Sequence, residues 1–288
     1  MMTQPFETYD YGHLNQAELN LYLYRTEQPA SKGNILYLHG GGLVYGSAHD
    51  LPDPYVDQIT QAGYNLVSLG YPLAPEVKLD TILTSVQNGI EWFLENAAST
   101  LNLDTNRYVL FGRSAGAYLA VQAASHSSHK PDGLWLFYGY HTLNEASFQI
   151  PSRHYAQYPK LEPSLIQALT QSTPLTEGPK EIRFAMYLYY RQSGKWIADI
   201  LPAGKKSADY SLSLAELKEL PPAFLTASTL DPDVPYRLSK MMAAHIPNSV
   251  LETIESDEHD FDRTTTDALG KDVYKKALAW LDESIYTK

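Results

Sequence analysis

Cysteine is absent from the 288 residues. That excludes disulfides, thiolate metal sites and a cysteine nucleophile. No run of about 18 apolar residues occurs, the length at which a membrane-spanning helix becomes a candidate. Positive charge is scarce as well. Lys and Arg number 22 against 33 Asp and Glu, giving a net charge of −11, and no Lys/Arg-rich run is present. A nucleic-acid partner is therefore not expected, and the acidic surface weakly repels anionic lipids and substrates. Met1 to Asp10 has no basic segment leading into an apolar run, so no signal peptide is read and a cytoplasmic location is expected.

Hydrophobic residues make up 44% of the chain. This suits one large domain, or one domain carrying an insertion. Tyrosine is abundant at 22 residues. Its apolar ring and polar tip suit both packing and pocket walls.

The alternating run LNLYLY predicts a strand over 19–24, and short apolar runs predict strands over 34–38, 64–69, 107–111, 133–138, 223–227 and 250–254. Between them, apolar residues recur at helical spacing, predicting helices over 54–62, 79–97, 115–125, 235–245 and 266–283. Alternating strands and helices imply βαβ units and a mostly parallel sheet, an α/β fold. The alternation breaks from about residue 140 to 212, a stretch punctuated by six prolines. Two helical pieces are expected there, over 164–171 and 181–192. The expected organisation is a core of 1–139 and 213–288 with a cap inserted at 140–212.

Gly112-Arg113-Ser114-Ala115-Gly116 has the form G-x-S-x-G. A serine on a tight strand-to-helix turn sits in strained backbone, and its neighbours two positions away must be small. The turn would expose the Ser114 hydroxyl at the carboxyl edge of the sheet, beside the first amides of a helix. Five residues alone are weak evidence. Here the pattern follows the strand YVLF and opens the helix AYLAVQAA, the context the motif requires.

His39-Gly40-Gly41-Gly42 follows the strand over 34–38. Glycines let the backbone approach a bound acyl group with no Cβ in the way. Their amides, with that of Ala115 after the nucleophile, would face the oxygen that becomes negative in a tetrahedral intermediate. One such donor contributes about 3 to 4 kcal/mol. A phosphate-binding loop would want G-K-[ST] or G-x-G-x-x-G, and Leu43, Val44 and Tyr45 supply neither. His39 is read as a structural residue that fixes the loop.

A serine nucleophile needs a base. His259 lies in a loop after the strand over 250–254, at the carboxyl edge. His141 precedes the acid in chain order, His245 falls within a helix, and His126 and His129 lie at a helix end. The orienting acid should follow the strand over 223–227, where Asp231 and Asp233 are both present. Asp231 is favoured because it comes first and Pro232 stiffens the turn; Asp233 is then expected to cap the next helix. The carboxylate would hold the imidazole in the correct tautomer and stabilise the imidazolium. Ser114, Asp231, His259 is the chain order of α/β-hydrolases.

HGGGLVYG (39–46), YPLAPE (71–76), GRSAG (112–116), LDPDVP (230–235) and HDF (259–261) occur in this order. Together they resemble the hormone-sensitive-lipase branch of the α/β-hydrolases, with its carboxylesterases and acetyl esterases. The match runs from about residue 33 to the C-terminus, the insertion apart. The resemblance implies hydrolysis of short-chain carboxylic esters, small-molecule substrates, no cofactor, a cap that shapes the acyl pocket, and oxyanion donors at Gly41, Gly42 and Ala115. Three positions depart from the branch pattern. Arg113 stands where an acidic residue is usual, Ala117 where a second glycine is common, and Pro72 where arginine is usual. These loosen the inherited substrate preference and leave the chemistry intact. An amidase or small peptidase on the same scaffold, or a ligand-binding relative without turnover, are the competing readings; intact Ser114, Asp231 and His259 argue against the last. The insertion's aromatics, Tyr140, Tyr155, Tyr158, Tyr187, Tyr189, Tyr190 and Trp196, are expected to divide between pocket wall and packing. Arg113, Arg153, Arg183 and Arg191 are each expected at the solvated surface, with binding of a substrate carboxylate as the alternative.

Overall fold

The computed structural model describes residues 5–266 and 268–286. Residues 1–4, on which part of the leader-free reading falls, lie outside the described residues, as does residue 267 in the stretch expected to open the last helix.

The described residues form an eight-stranded sheet in the order β1-β2-β4-β3-β5-β6-β7-β8. In chain order the strands are β1 (Glu7–Leu14), β2 (Ala17–Tyr24), β3 (Gly33–Leu38), β4 (Tyr64–Leu69), β5 (Tyr108–Arg113), β6 (Gly133–Phe137), β7 (Ala223–Ser228) and β8 (Val250–Ile254). The hairpin β1–β2 and the pair β2–β4 are antiparallel; every other pairing is parallel. The helices are α1 (Asp53–Gln61), α2 (Leu79–Asn96), α3 (Ala115–His126), α4 (Ala146–Gln149), α5 (Ser164–Leu169), α6 (Lys180–Ser193), α7 (Trp196–Ile200), α8 (Leu214–Leu217), α9 (Tyr236–His245) and α10 (Leu269–Trp280), the last continuing into a wider π-helical turn, Leu281–Ile285. This is the α/β-hydrolase fold.

The central strands read as continuous apolar runs because both faces are covered. Along β3, Leu36 and Leu38 pack with α2 and α3, whereas Ile35 and Tyr37 pack with α1 and α10. The two-residue strand period sorts each strand's side chains into two separate cores.

From β3 the chain steps outward to β4, then returns to place β5 on the other side of β3. Loops leaving neighbouring parallel strands in opposite directions open a crevice at their carboxyl ends. The loops after β3, β5, β7 and β8 therefore gather at one edge. The segment between β6 and β7 lies over that edge. Trp196 Nε1 donates to the Gly42 carbonyl at 2.9 Å. Arg183 donates to the Val44 and Ala74 carbonyls, each at 2.7 Å, and makes a paired contact with Glu76, both bonds 2.8 Å. Gly46 and Gly178 exchange backbone bonds.

Candidate active site

β5 ends in a sharp turn. Ser114 has φ 53° and ψ −117°, left-handed backbone that a side chain rarely tolerates. The glycines flanking it are sterically required. A Cβ on Gly112 would stand 2.2 Å from the backbone of Gly116, and one on Gly116 would stand 2.0 Å from the Leu38 carbonyl oxygen. The strain lifts the hydroxyl clear of the sheet edge while α3 begins directly behind it.

His259 Nε2 lies 2.9 Å from Ser114 Oγ, and His259 Nδ1 lies 2.6 Å from Asp231 Oδ2. Three segments distant in sequence thus meet in one hydrogen-bonded line. Asp231 is fully shielded, and its other oxygen accepts from the amides of Asp233 and Val234 at 2.8 and 2.9 Å. The turn stiffened by Pro232 closes on the carboxylate and fixes its direction. Burial pulls the His259 imidazolium down. The charge and hydrogen bond of Asp231, with the charges of Asp233 and Asp260, outweigh burial and raise it to about 9.

The loop after β3 comes alongside. Gly41 and Gly42 have φ of +96° and +61°. A Cβ on Gly41 would meet the Tyr45 carbonyl oxygen at 1.9 Å, and one on Gly42 would meet the Tyr187 ring at 2.3 Å. Among the described residues, the amides of Gly41, Gly42 and Ala115 donate no hydrogen bond within the chain. His39 is buried, stacked on Tyr71 at 4.2 Å, with Nδ1 at 2.8 Å from the Gly40 carbonyl oxygen. That matches the structural part read for it.

The histidines weighed against His259 are held elsewhere. His141 Nδ1 pairs with the Leu212 carbonyl, His126 with that of Gln122 and His245 with that of Met241.

Two expectations fail. Asp233 does not cap α9, whose first turn has no side-chain cap and is preceded by Pro235. Instead its carboxylate accepts from the Tyr187 hydroxyl at 2.9 and 3.0 Å and pairs with Arg191 at 3.3 Å. Its Oδ2 stands 4.0 Å from His259 Nε2. A carboxylate this close to an imidazole is better neutralised by a buried guanidinium than spent on a helix end. The second failure concerns the arginines. Arg153 is exposed as expected, but Arg113, Arg183 and Arg191 are buried. Arg183 and Arg191 tie the segment over the site to the core, and Arg191 lies within 6 Å of the rings of Phe148, Tyr155, Tyr187 and Trp196.

Ser114 and His259 open into a cavity of about 40 Å³, walled by the glycine loop, Tyr45, Tyr138, Tyr187 and Arg263. Of the insertion's aromatics, Tyr187 reaches this cavity. Tyr155 and Tyr158 line a wider outer depression, and Tyr140, Tyr190 and Trp196 are packed inside. Tyr45, Tyr138 and Arg263 were missed from the sequence. Tyr45 was visible as the residue closing the HGGG turn; Tyr138 and Arg263 carried no local signal.

A family model described as the alpha/beta hydrolase fold matches residues 35–262, and the chain belongs to that family. A solved protein of unknown function from Staphylococcus aureus subsp. aureus Mu50 superposes with a TM-score of 0.86 at 33% identity, covering 98% of this chain and 100% of that one. An alpha/beta hydrolase superfamily protein from Enterococcus faecalis gives 0.84 at 30% identity, covering 98% and 100%. Ethyl acetate hydrolase from Pseudomonas putida is 37% identical over 111 residues, 37% of this chain and 34% of that enzyme. Hormone-sensitive lipase from Homo sapiens is 31% identical over 143 residues, 48% of this chain and 13% of that protein. The chain therefore spans about a third of the ethyl acetate hydrolase and less of the lipase. Among the described residues no helix is long and apolar enough to cross a membrane.

Proposed function

We propose that this protein hydrolyses short-chain carboxylic esters through an acyl-enzyme on Ser114. The observation that carries the reading is the contact line from Ser114 Oγ to His259 Nε2 at 2.9 Å and from His259 Nδ1 to Asp231 at 2.6 Å. Binding alone would need no base against a hydroxyl. In the reaction, His259 takes the Ser114 proton as Oγ attacks the ester carbonyl carbon. The carbonyl oxygen becomes negative against the amides of Gly41, Gly42 and Ala115, whose freedom from internal partners supports this assignment. His259 then gives its proton to the departing alkoxide. A water enters, His259 removes its proton, and the acyl group leaves as a carboxylic acid while Ser114 is restored.

The narrow cavity supports a short acyl group, and residues 140–212 act in this reading as the cap that closes it. The names of the relatives supply the ester class. The test is turnover of chromogenic esters with acyl chains from two to about ten carbons. Short chains should be hydrolysed fastest. Ser114→Ala and His259→Ala should each lower kcat by up to about 10⁶, as losses of single members do in comparable triads. Near-normal turnover in either variant defeats the assignment.

A further inference from the structure

The residue before the nucleophile reaches under a residue of the loop that carries the base. Arg113, at the end of β5, is 5% exposed, and Asp262, three residues after His259, is fully buried. Their side chains meet at 3.0 Å. Tyr138, just past β6, bridges them: it accepts from Arg113 Nε at 2.7 Å and donates to Asp262 Oδ1 at 2.7 Å. Its ring also packs edge-on against the His259 imidazole at 4.9 Å. Tyr274 of α10 donates to the second Asp262 oxygen at 2.8 Å. On the other side, Arg113 Nη1 reaches the Tyr37 hydroxyl at 3.3 Å, and Tyr37 donates to Asp50 at 2.5 Å. The Arg113 donors are thus taken by side chains of the protein, although the residue also borders the catalytic cavity.

Besides the contacts of His259 with Asp231 and Ser114, the bonds described for this loop are mostly local. Among the described residues between β8 and α10, its main-chain bonds include Ser256 to Ile254, Arg263 to Asp260 and Leu230 to Ser256. Phe261 is buried beside Phe137 and Tyr138 and supplies apolar contact without direction. Directional restraint comes from Asp262, whose carboxylate is held by three donors from β5, the end of β6 and α10.

We propose that Arg113, Tyr138 and Asp262 form a positioning clamp that fixes the His259 loop relative to the Ser114 turn. The guanidinium leaves the chain one residue before the nucleophile, so strand and base loop share one buried anchor. Misplacing reacting groups by about 1 Å costs on the order of 10²-fold in rate, which sets the scale for losing the clamp. Arg113, Tyr138 and Asp262 act through His259 and are not themselves reactive.

The inference rests on the ester-hydrolase reading, and the experiment keeps the two apart. Wild type, Tyr138→Phe and the double variant Arg113→Met/Asp262→Asn are compared by turnover per active site, with sites counted by fluorophosphonate titration. The double variant leaves no unpaired buried charge and keeps an acceptor for Tyr274. The clamp predicts kcat per labelled site down by about tenfold in Tyr138→Phe and between tenfold and a hundredfold in the double variant. KM should stay within about twofold, and the double variant should melt close to wild type. A merely structural role predicts fewer labelled sites or a lower Tm with kcat per site unchanged, and that result in both variants overturns the clamp. If the double variant does not fold, Tyr138→Phe decides alone, since it removes a single hydroxyl. A wild type that neither labels nor turns over esters defeats the ester-hydrolase reading first and the clamp with it.

Discussion

Replacing Asp231 by Asn should move the pH dependence of turnover as well as its size. Asp231 is fully shielded and lies 2.6 Å from His259, whose side chain is 17% exposed. Burial opposes the charged imidazole, yet the neighbouring carboxylates, Asp231 foremost, lift it from its ordinary 6.5 to about 9. At about 1.4 kcal/mol per pH unit this is on the order of 3 kcal/mol of preference for the charged form. A base must be neutral to accept a proton, and kcat/KM reports the free enzyme. Wild-type kcat/KM should therefore climb roughly tenfold per pH unit from pH 6 and level off near 9, with about 1% of His259 neutral at pH 7. Stability runs the other way. The raised value means the imidazolium–carboxylate contribution is fully present below pH 6.5 and is lost as the pH rises through about 9. In Asp231→Asn the chief raising charge is gone while burial remains. The midpoint should fall back toward 6.5, and the plateau should drop by up to about 10⁴ as the tautomer is lost. The assay is initial-rate hydrolysis of an acetate ester from pH 5 to 10, with melting followed over the same range. A wild-type profile flat above pH 7, or a variant midpoint still near 9, refutes the reasoning.

Other perturbations have expected outcomes on the same footing. Gly116→Ala sets a methyl 2.0 Å from the Leu38 carbonyl oxygen; the turn must shift, and turnover of an acetate ester should fall more than about a hundredfold. Arg183→Met strands the buried Glu76 carboxylate; loss of one partner of such a pair costs about 3 to 5 kcal/mol, so thermal unfolding should begin roughly 10 °C lower. Tyr187→Ala opens the wall that rests on Gly42; the butyrate-to-acetate ratio of kcat/KM should rise at least about tenfold, the scale of one or two methylenes in an apolar pocket.

What the sequence revealed depended on how far apart the cooperating residues lie. The Ser114 turn was legible because its steric demands are met within five residues, between a strand and a helix that announce themselves. Asp231 and His259 were singled out by chain order and by loops that follow strands at the carboxyl edge, and the structure brings both into line with Ser114. β1 escaped notice because Tyr11 is its one buried side chain, too little for a period-two pattern to register. Asp233 was misread because its partners, Tyr187 and Arg191, stand over 40 residues upstream in a segment whose docking no local pattern encodes. Arg113 was placed near solvent for the same reason: its counter-charge lies 149 residues away. Local stereochemistry can be read along the chain, whereas pairing between buried charges is settled by tertiary approach.

Everything turns on whether Ser114 is chemically activated, and covalent labelling measures that directly. Wild type, Ser114→Ala and His259→Ala would be exposed to a fluorophosphonate and the modified peptide located by mass spectrometry. One adduct per chain on Ser114, absent from Ser114→Ala and strongly slowed in His259→Ala, is the predicted result. A folded wild type that takes no label at Ser114, or ester turnover that survives in Ser114→Ala, would contradict it.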